Sequence, residues 1–157
     1  MAKHWSQDEL DARRRLVQFR RSQSGATITT SFGPVSPEHY LNSGCVSCIL
    51  WEEKGGCYIT STDIFVLLEF LLGVRMSKEQ KDRIRRNLEN FKPTTISKSG
   101  DTEKFFNVIM KFPNPMPRIL IIAIKVFPWE VLGHVLIKSI SKYYASTLVS
   151  SGQEAGQ

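Results

Sequence analysis

The sequence predicts a single α+β domain: a β-hairpin and small sheet packed against about five helices. Three observations carry that expectation. The chain has 157 residues, the size of one domain able to bury a real core. Two stretches, at Ser6 and at Ser77, carry helix-start signals with an acidic or amide residue three positions on. Between them, CVSCILWEE-KGG-CYITS reads as two strands joined at a glycine turn. The expected boundaries are an N-terminal extension over 1–5, the core over 6–146, and a disordered tail over 147–157.

The elements follow in order. Trp5-Ser6-Gln7-Asp8-Glu9-Leu10 combines a capping box, Ser6 with Glu9, and a hydrophobic staple, Trp5 with Leu10. A helix from 7 to about 22 is predicted, ended by Ser24-Gly25. ATITTS, residues 26–31, is rich in β-branched side chains and predicts a short strand. Residues 34–44 predict a loop, with one helical turn begun at Ser36-Pro37. Residues 45–61 form the hairpin.

Residues 63–72 are apolar nearly all round, broken only by Glu69, so that helix belongs inside a core and Gly73 stops it. An ion pair with a nearby Lys or Arg is the expected resolution for Glu69. Ser77 opens a helix to about Phe91 with Gln80 in the capping-box position. PTTISKSGD is a loop with one short strand, and Asp101 or Thr102 caps a helix through Met110. Residues 119–127 are a nine-residue run, apolar but for Lys125, that suits a buried strand or a short core helix. Pro128 suits the first position of a final helix, on which Trp129, Leu132, Leu136 and Ile140 share a face beside Val135 and Tyr143.

Composition narrows the function. Apolar residues make up 41% and charged residues 23%, as in a globular protein. The net charge of +6, from 21 basic and 15 acidic side chains, favours polyanionic partners. The N-terminus is polar where a secretory signal needs an apolar run. The most apolar region, 119–137, contains Lys125, Pro128, Glu130 and His134, which argues against a membrane span. An intracellular protein with reduced thiols is expected from its three cysteines.

Cys45-x2-Cys48 followed by Cys57, with His39 as a fourth ligand, invites a zinc reading. Against it, residues three apart on a strand point to opposite faces. Three small buried thiols are therefore expected, with no metal and no cofactor. No P-loop, G-x-S-x-G or H-E-x-x-H is present, and the histidines are scattered. His134 is expected as a hydrogen-bonded residue at the core edge. No enzyme and no small-molecule substrate are expected.

The remaining signal is basic. Arg13, Arg14, Arg15, Arg20 and Arg21 would wrap the polar side of the first helix around Leu10, Val17 and Phe19. Lys81, Arg83, Arg85, Arg86 and Asn87 lie on a second helix whose apolar stripe is only Ile84, Leu88 and Phe91. These ten residues are the candidate nucleic-acid contacts, since arginine presents a planar fork matched to phosphate. The plainer reading is a solvated face with intramolecular pairs. RRR-x4-RR is also the composition of a nuclear localisation patch.

Four runs carry a family resemblance: W-S-x-D-E-x-x-A-R-R-R-L-V-Q-F-R-R-S-Q-S-G, CVSCILWEEKGGCYITSTD, RIRRNLENFKPTTISKS and FFNVIMKFPNPMPRI…KVFPW. Together they resemble the core domain of fungal Medusa-type developmental transcription regulators, over about residues 5–146. The resemblance implies a nuclear regulator of conidiation and morphogenesis whose partners are DNA and other transcription regulators. ILIIAI at 119–124 departs from the more polar character the family implies there. A protein–protein interaction module that binds no DNA is the alternative.

Overall fold

The computed structural model describes residue 1, residues 3–116 and residues 123–155, excepting the side chains of the last ten of these. Ser6 caps the first helix as its sequence directs: its Oγ accepts from Glu9 N at 3.1 Å, and the Glu9 carboxylate accepts from Ser6 N at 2.8 Å. That helix, α1 (Gln7–Ala12), then stops at Arg13, whose backbone turns left-handed with φ 57°. The expected continuation to residue 22 is replaced by a strand, β1 (Arg14–Ser24). The correction has a physical cause. Leu16, Val17, Gln18 and Phe19 are all buried in succession, which a strand covered on both faces allows and a surface helix does not.

Gly25 and Ala26 form a two-residue turn, with φ 61° at Gly25, into β2 (Thr27–Val35). The helical turn expected at Ser36 is a single turn closed by His39 N donating to Ser36 O at 3.0 Å. The hairpin of β3 (Cys45–Trp51) and β4 (Gly56–Thr60) follows, and Thr60 caps α2 (Ser61–Leu72). Ser77 and Gln80 make the capping box of α3 (Lys78–Leu88). Then come β5 (Thr94–Ser97), α4 (Glu103–Met110), β6 (Ala123–Pro128) and α5 (Leu132–Ala155). Of the predicted apolar strand, residues 119–122 lie outside the described residues. Pro128 closes β6 in place of opening a helix, and a 3-10 turn, Trp129–Val131, leads into α5. The helix continues past residue 147, where a disordered tail is expected.

The six strands form one antiparallel sheet in the order β2-β1-β3-β4-β6-β5, so the domain is α+β. Alternation sorts its side chains. Val17, Phe19, Val46, Cys48, Ile59 and Phe127 pack with Ile64, Leu67 and Leu68 of α2, Ile84 of α3 and Val135 of α5. Ile49, Trp51, Ile96, Ile124 and Val126 on the opposite face pack with Phe105, Phe106 and Ile109 of α4. On that face, Trp51 stacks on Phe105 with ring centroids 4.3 Å apart. Helices thus cover both faces of the central strands, while β2 is an open edge.

Gly44 sits where the chain re-enters the sheet, with φ 78°. A Cβ there would stand 2.8 Å from both Phe19 O and the Phe70 ring. Gly44→Ala should therefore cost about 3 kcal/mol, strain and overlap together, in urea denaturation. Gly25→Ala, equally left-handed but with nothing within 4 Å, should cost only about 1 kcal/mol.

Candidate nucleic-acid interface

The arginines of β1 divide by burial. Arg14 is 8% exposed and Arg15 6%. Arg14 lies on the α4 side of the sheet, where Nη1 donates to Pro113 O at 3.1 Å, to Pro115 O at 2.6 Å and to Ser47 Oγ at 3.4 Å. Its guanidinium carbon stands 4.8 Å from the centre of the Phe112 ring. Arg15 faces the other way and grips the N-terminus. It pairs with Glu9 through Nε at 2.8 Å and Nη2 at 3.1 Å, and donates to Lys3 O and His4 O. Trp5 lies against it and donates from Nε1 to Met1 O. Met1, Lys3, His4 and Trp5, within the expected N-terminal extension, are thereby tied to β1.

Arg13 forms an ion pair with Glu52 at 2.9 Å. Arg20 is exposed beyond the body of the sheet. Arg21 points towards α2, where Nε donates to Leu71 O at 2.8 Å. This satisfies a carbonyl in the last turn of the helix and sets a cation at its negative end. Arg14 and Arg15 are thus structural in the folded chain, and Arg20 and Arg21 are the ones of the five left towards solvent beside the edge-paired Arg13.

Helix α3 keeps its basic side outward. Ile84 and Leu88 are buried, whereas Lys78, Arg83, Arg85 and Arg86 are exposed. Arg85 pairs with Asp82 at 2.8 Å and rests over Phe65 of α2. Arg86 Nε reaches Asp82 O at 3.4 Å, and Asn87 accepts from Asn90 at 3.3 Å. Lys81 lies 3.8 Å from Glu69, whose other oxygen accepts from Met76 N at 2.8 Å. The expected ion pair of Glu69 is present. Lys81 meets α2 at Glu69 and Arg85 meets it at Phe65, so α3 runs antiparallel along α2. Arg21 and Lys81 consequently converge on the C-terminal end of α2. From there the basic residues extend along α3, a helix about 16 Å long.

The family model for a domain of unknown function, DUF7082, matches residues 1–140. The chain belongs to that family. Neither the curated proteins nor the solved structures contain a match to it.

In this DUF7082 domain the thiols are separated by the pleat. Cys48 and Cys57 lie on the α2 side in a hydrogen-bonded pair, while Cys45 lies on the other. Burial pushes the Cys45 thiol up to about 11, with Asp63 adding to the rise and Arg14 opposing it. Burial raises Cys48 too, reinforced by Cys57. Both are held as neutral thiols. His39 is exposed and bonds through Nδ1 to Ser36 Oγ at 2.6 Å. Among the described residues no three His, Cys, Asp or Glu side chains are arranged to hold a metal. His134 is exposed on α5, not at the core edge as expected. No described helix is long and apolar enough to cross a membrane.

One buried group was not singled out from sequence. Asp63, in the first turn of α2, accepts from Ser47 N at 2.9 Å. That amide lies beyond the last β3–β4 pair given by the register, so the carboxylate takes the place of a strand partner. Burial pushes Asp63 up to about 7, against the lowering effects of the Ser47 N–H and of Arg14.

Proposed function

We propose that this domain is a non-enzymatic nuclear regulator of transcription in fungal development that contacts DNA through the basic side of α3. The observation that carries the reading is the outward placement of Arg83, Arg85 and Arg86 on a helix anchored by Ile84 and Leu88. The resemblance to Medusa-type regulators supplies the biological setting, and the charge of +6 agrees with a polyanionic partner. The contact set becomes Arg21, Lys81, Arg83, Arg85 and Arg86, with Asn87 flanking it, because Arg20 points to the face of the sheet opposite α2 and α3. Phosphates would be met by most of these, and base edges by a subset.

Five phosphate contacts give a slope of log affinity against log salt near about −4.5. The Arg83/Arg85/Arg86 triple alanine variant should reduce it to about −1.8. Fluorescence anisotropy with labelled duplex DNA over a salt series reads both values. A salt-insensitive curve, or an unchanged slope in the variant, refutes the reading. The interaction-module alternative has its own support in the open β2 edge, where Phe32 is 55% exposed and stacks on Phe19. Association with a regulator that survives nuclease treatment, without any DNA binding by the purified chain, would favour it.

A further inference from the structure

Where α3 passes the start of α2 and the edge of β6, the surface opens into a cleft of about 450 Å³. Its floor is apolar: Leu88 and Phe127 line the base beside the β6 backbone at Ile124, whose side chain belongs to the opposite face of the sheet. Its rim is polar and basic, formed by Ser61 and Thr62 on one wall and Arg85, Arg86 and Lys125 on the others. Among the described residues lining it the single acidic one, Glu89, is bonded to Lys125. Arg85 is engaged by Asp82 and held over Phe65. Arg86 differs from both: among the described residues its hydrogen bond, to Asp82 O, uses Nε alone, which leaves the Nη edge of the guanidinium for a ligand.

A site with an apolar floor and an arginine fork at its lip suits an anion carried on a flat apolar body. Its volume falls within the roughly 300–1,000 Å³ of small-ligand sites. A fork of parallel N–H groups matches phosphate oxygens in a bidentate manner. We propose that this cleft binds one nucleoside monophosphate unit, with the base over Leu88 and Phe127 and the phosphate on Arg86. The same chemistry is offered by a free nucleotide and by an unstacked nucleotide of a single strand. The proposal rests on the nucleic-acid reading for the second source only, because the cleft lies at the C-terminal end of the basic side of α3.

The test uses the full chain and two cleft variants. Arg86→Ala removes the fork, and Ala123→Trp, at an exposed rim position on β6, fills the cleft without touching the floor. Lys78→Ala, an exposed cation on the same helix but outside both the lining and the contact set, is the charge-matched control, and thermal melts verify that all three fold. Binding is measured for adenosine and uridine monophosphate by NMR titration, and for a labelled single-stranded oligonucleotide by anisotropy. Each cleft variant should weaken binding about tenfold or more, with Lys78→Ala changing it much less. Mononucleotide binding without oligonucleotide binding assigns the cleft to a free nucleotide and removes the single-stranded source.

Cleft variants that bind both probes like the wild type would overturn the proposal. If duplex binding with its salt slope then persisted, the reading of α3 would stand alone. Failure of the wild type to bind either mononucleotide or single strand overturns the cleft whatever the duplex result.

Discussion

Arg15→Ala should destabilise the domain by about 3–5 kcal/mol, the cost of breaking a buried ion pair by removing one partner. The guanidinium is the hub of the N-terminal segment: it holds both Glu9 oxygens and three backbone carbonyls while lying on Trp5. Its loss leaves Glu9 half-enclosed without its cation. It also releases the carbonyls of Lys3 and His4 and uncovers the side of Trp5. Arg15→Lys should rescue little, because an ammonium is a point charge and the site uses a fork. Arg83→Ala, on the exposed side of α3, should change stability by no more than about 0.5 kcal/mol. Urea denaturation distinguishes the two, and an Arg15→Ala variant within about 1 kcal/mol of wild type would refute the structural role. The Glu9 carboxyl is held below its ordinary value: burial raises it, but the bonds from Arg15 and Ser6 outweigh that. This pair therefore stabilises the fold above the ordinary range of a glutamate and weakens as pH falls below it.

The same residues explain what the sequence revealed and what it hid. The capping boxes at Ser6 and Ser77, the glycine turn after Trp51 and the apolar helix after Thr60 were all legible, because each depends on chemistry within a few residues. β1 was not. A strand covered on both faces lacks the period-2 alternation that marks a half-buried one, and a genuine helix start immediately preceded it. The signal that could have exposed it lay downstream. Ser24-Gly25-Ala26-Thr27 joins RRSQS to TITTS, a glycine-first two-residue turn between segments of matched length. On the candidate surface the error was one of sign. Five arginines within nine residues suggested a solvated patch, yet Arg14 and Arg15 alternate into opposite sides of the sheet and are bonded there. Arginine count measures charge. Only the pleat determines which charges reach a partner. The α3 residues were legible because a narrow apolar stripe leaves few faces to bury.

Stability should fall as pH rises from about 4 to about 7, and Asp63→Asn should abolish most of that fall. The folded-state value of Asp63 lies near 7, against an ordinary value of 3.8. A raised value means that the folded chain holds its proton more tightly than the unfolded chain. The contribution is thus fully present below the unfolded value and is lost as pH climbs through the folded one. At about 1.4 kcal/mol per unit, the loss is about 4 kcal/mol across that window. Arg14 is the charged group facing this carboxyl, and its attraction to the ionised form already opposes the burial. Removing that attraction in Arg14→Met should deepen the fall by extending it to higher pH. Asparagine keeps an oxygen for the Ser47 N–H while removing the titration, so the variant profile should be nearly flat where the wild type declines. Urea denaturation at half-unit intervals between pH 4 and 8 provides the comparison. A decline that persists unchanged in Asp63→Asn would assign the pH dependence to another group. A flat wild-type profile would mean that the carboxyl ionises without cost, its burial offset in full by Ser47 and Arg14.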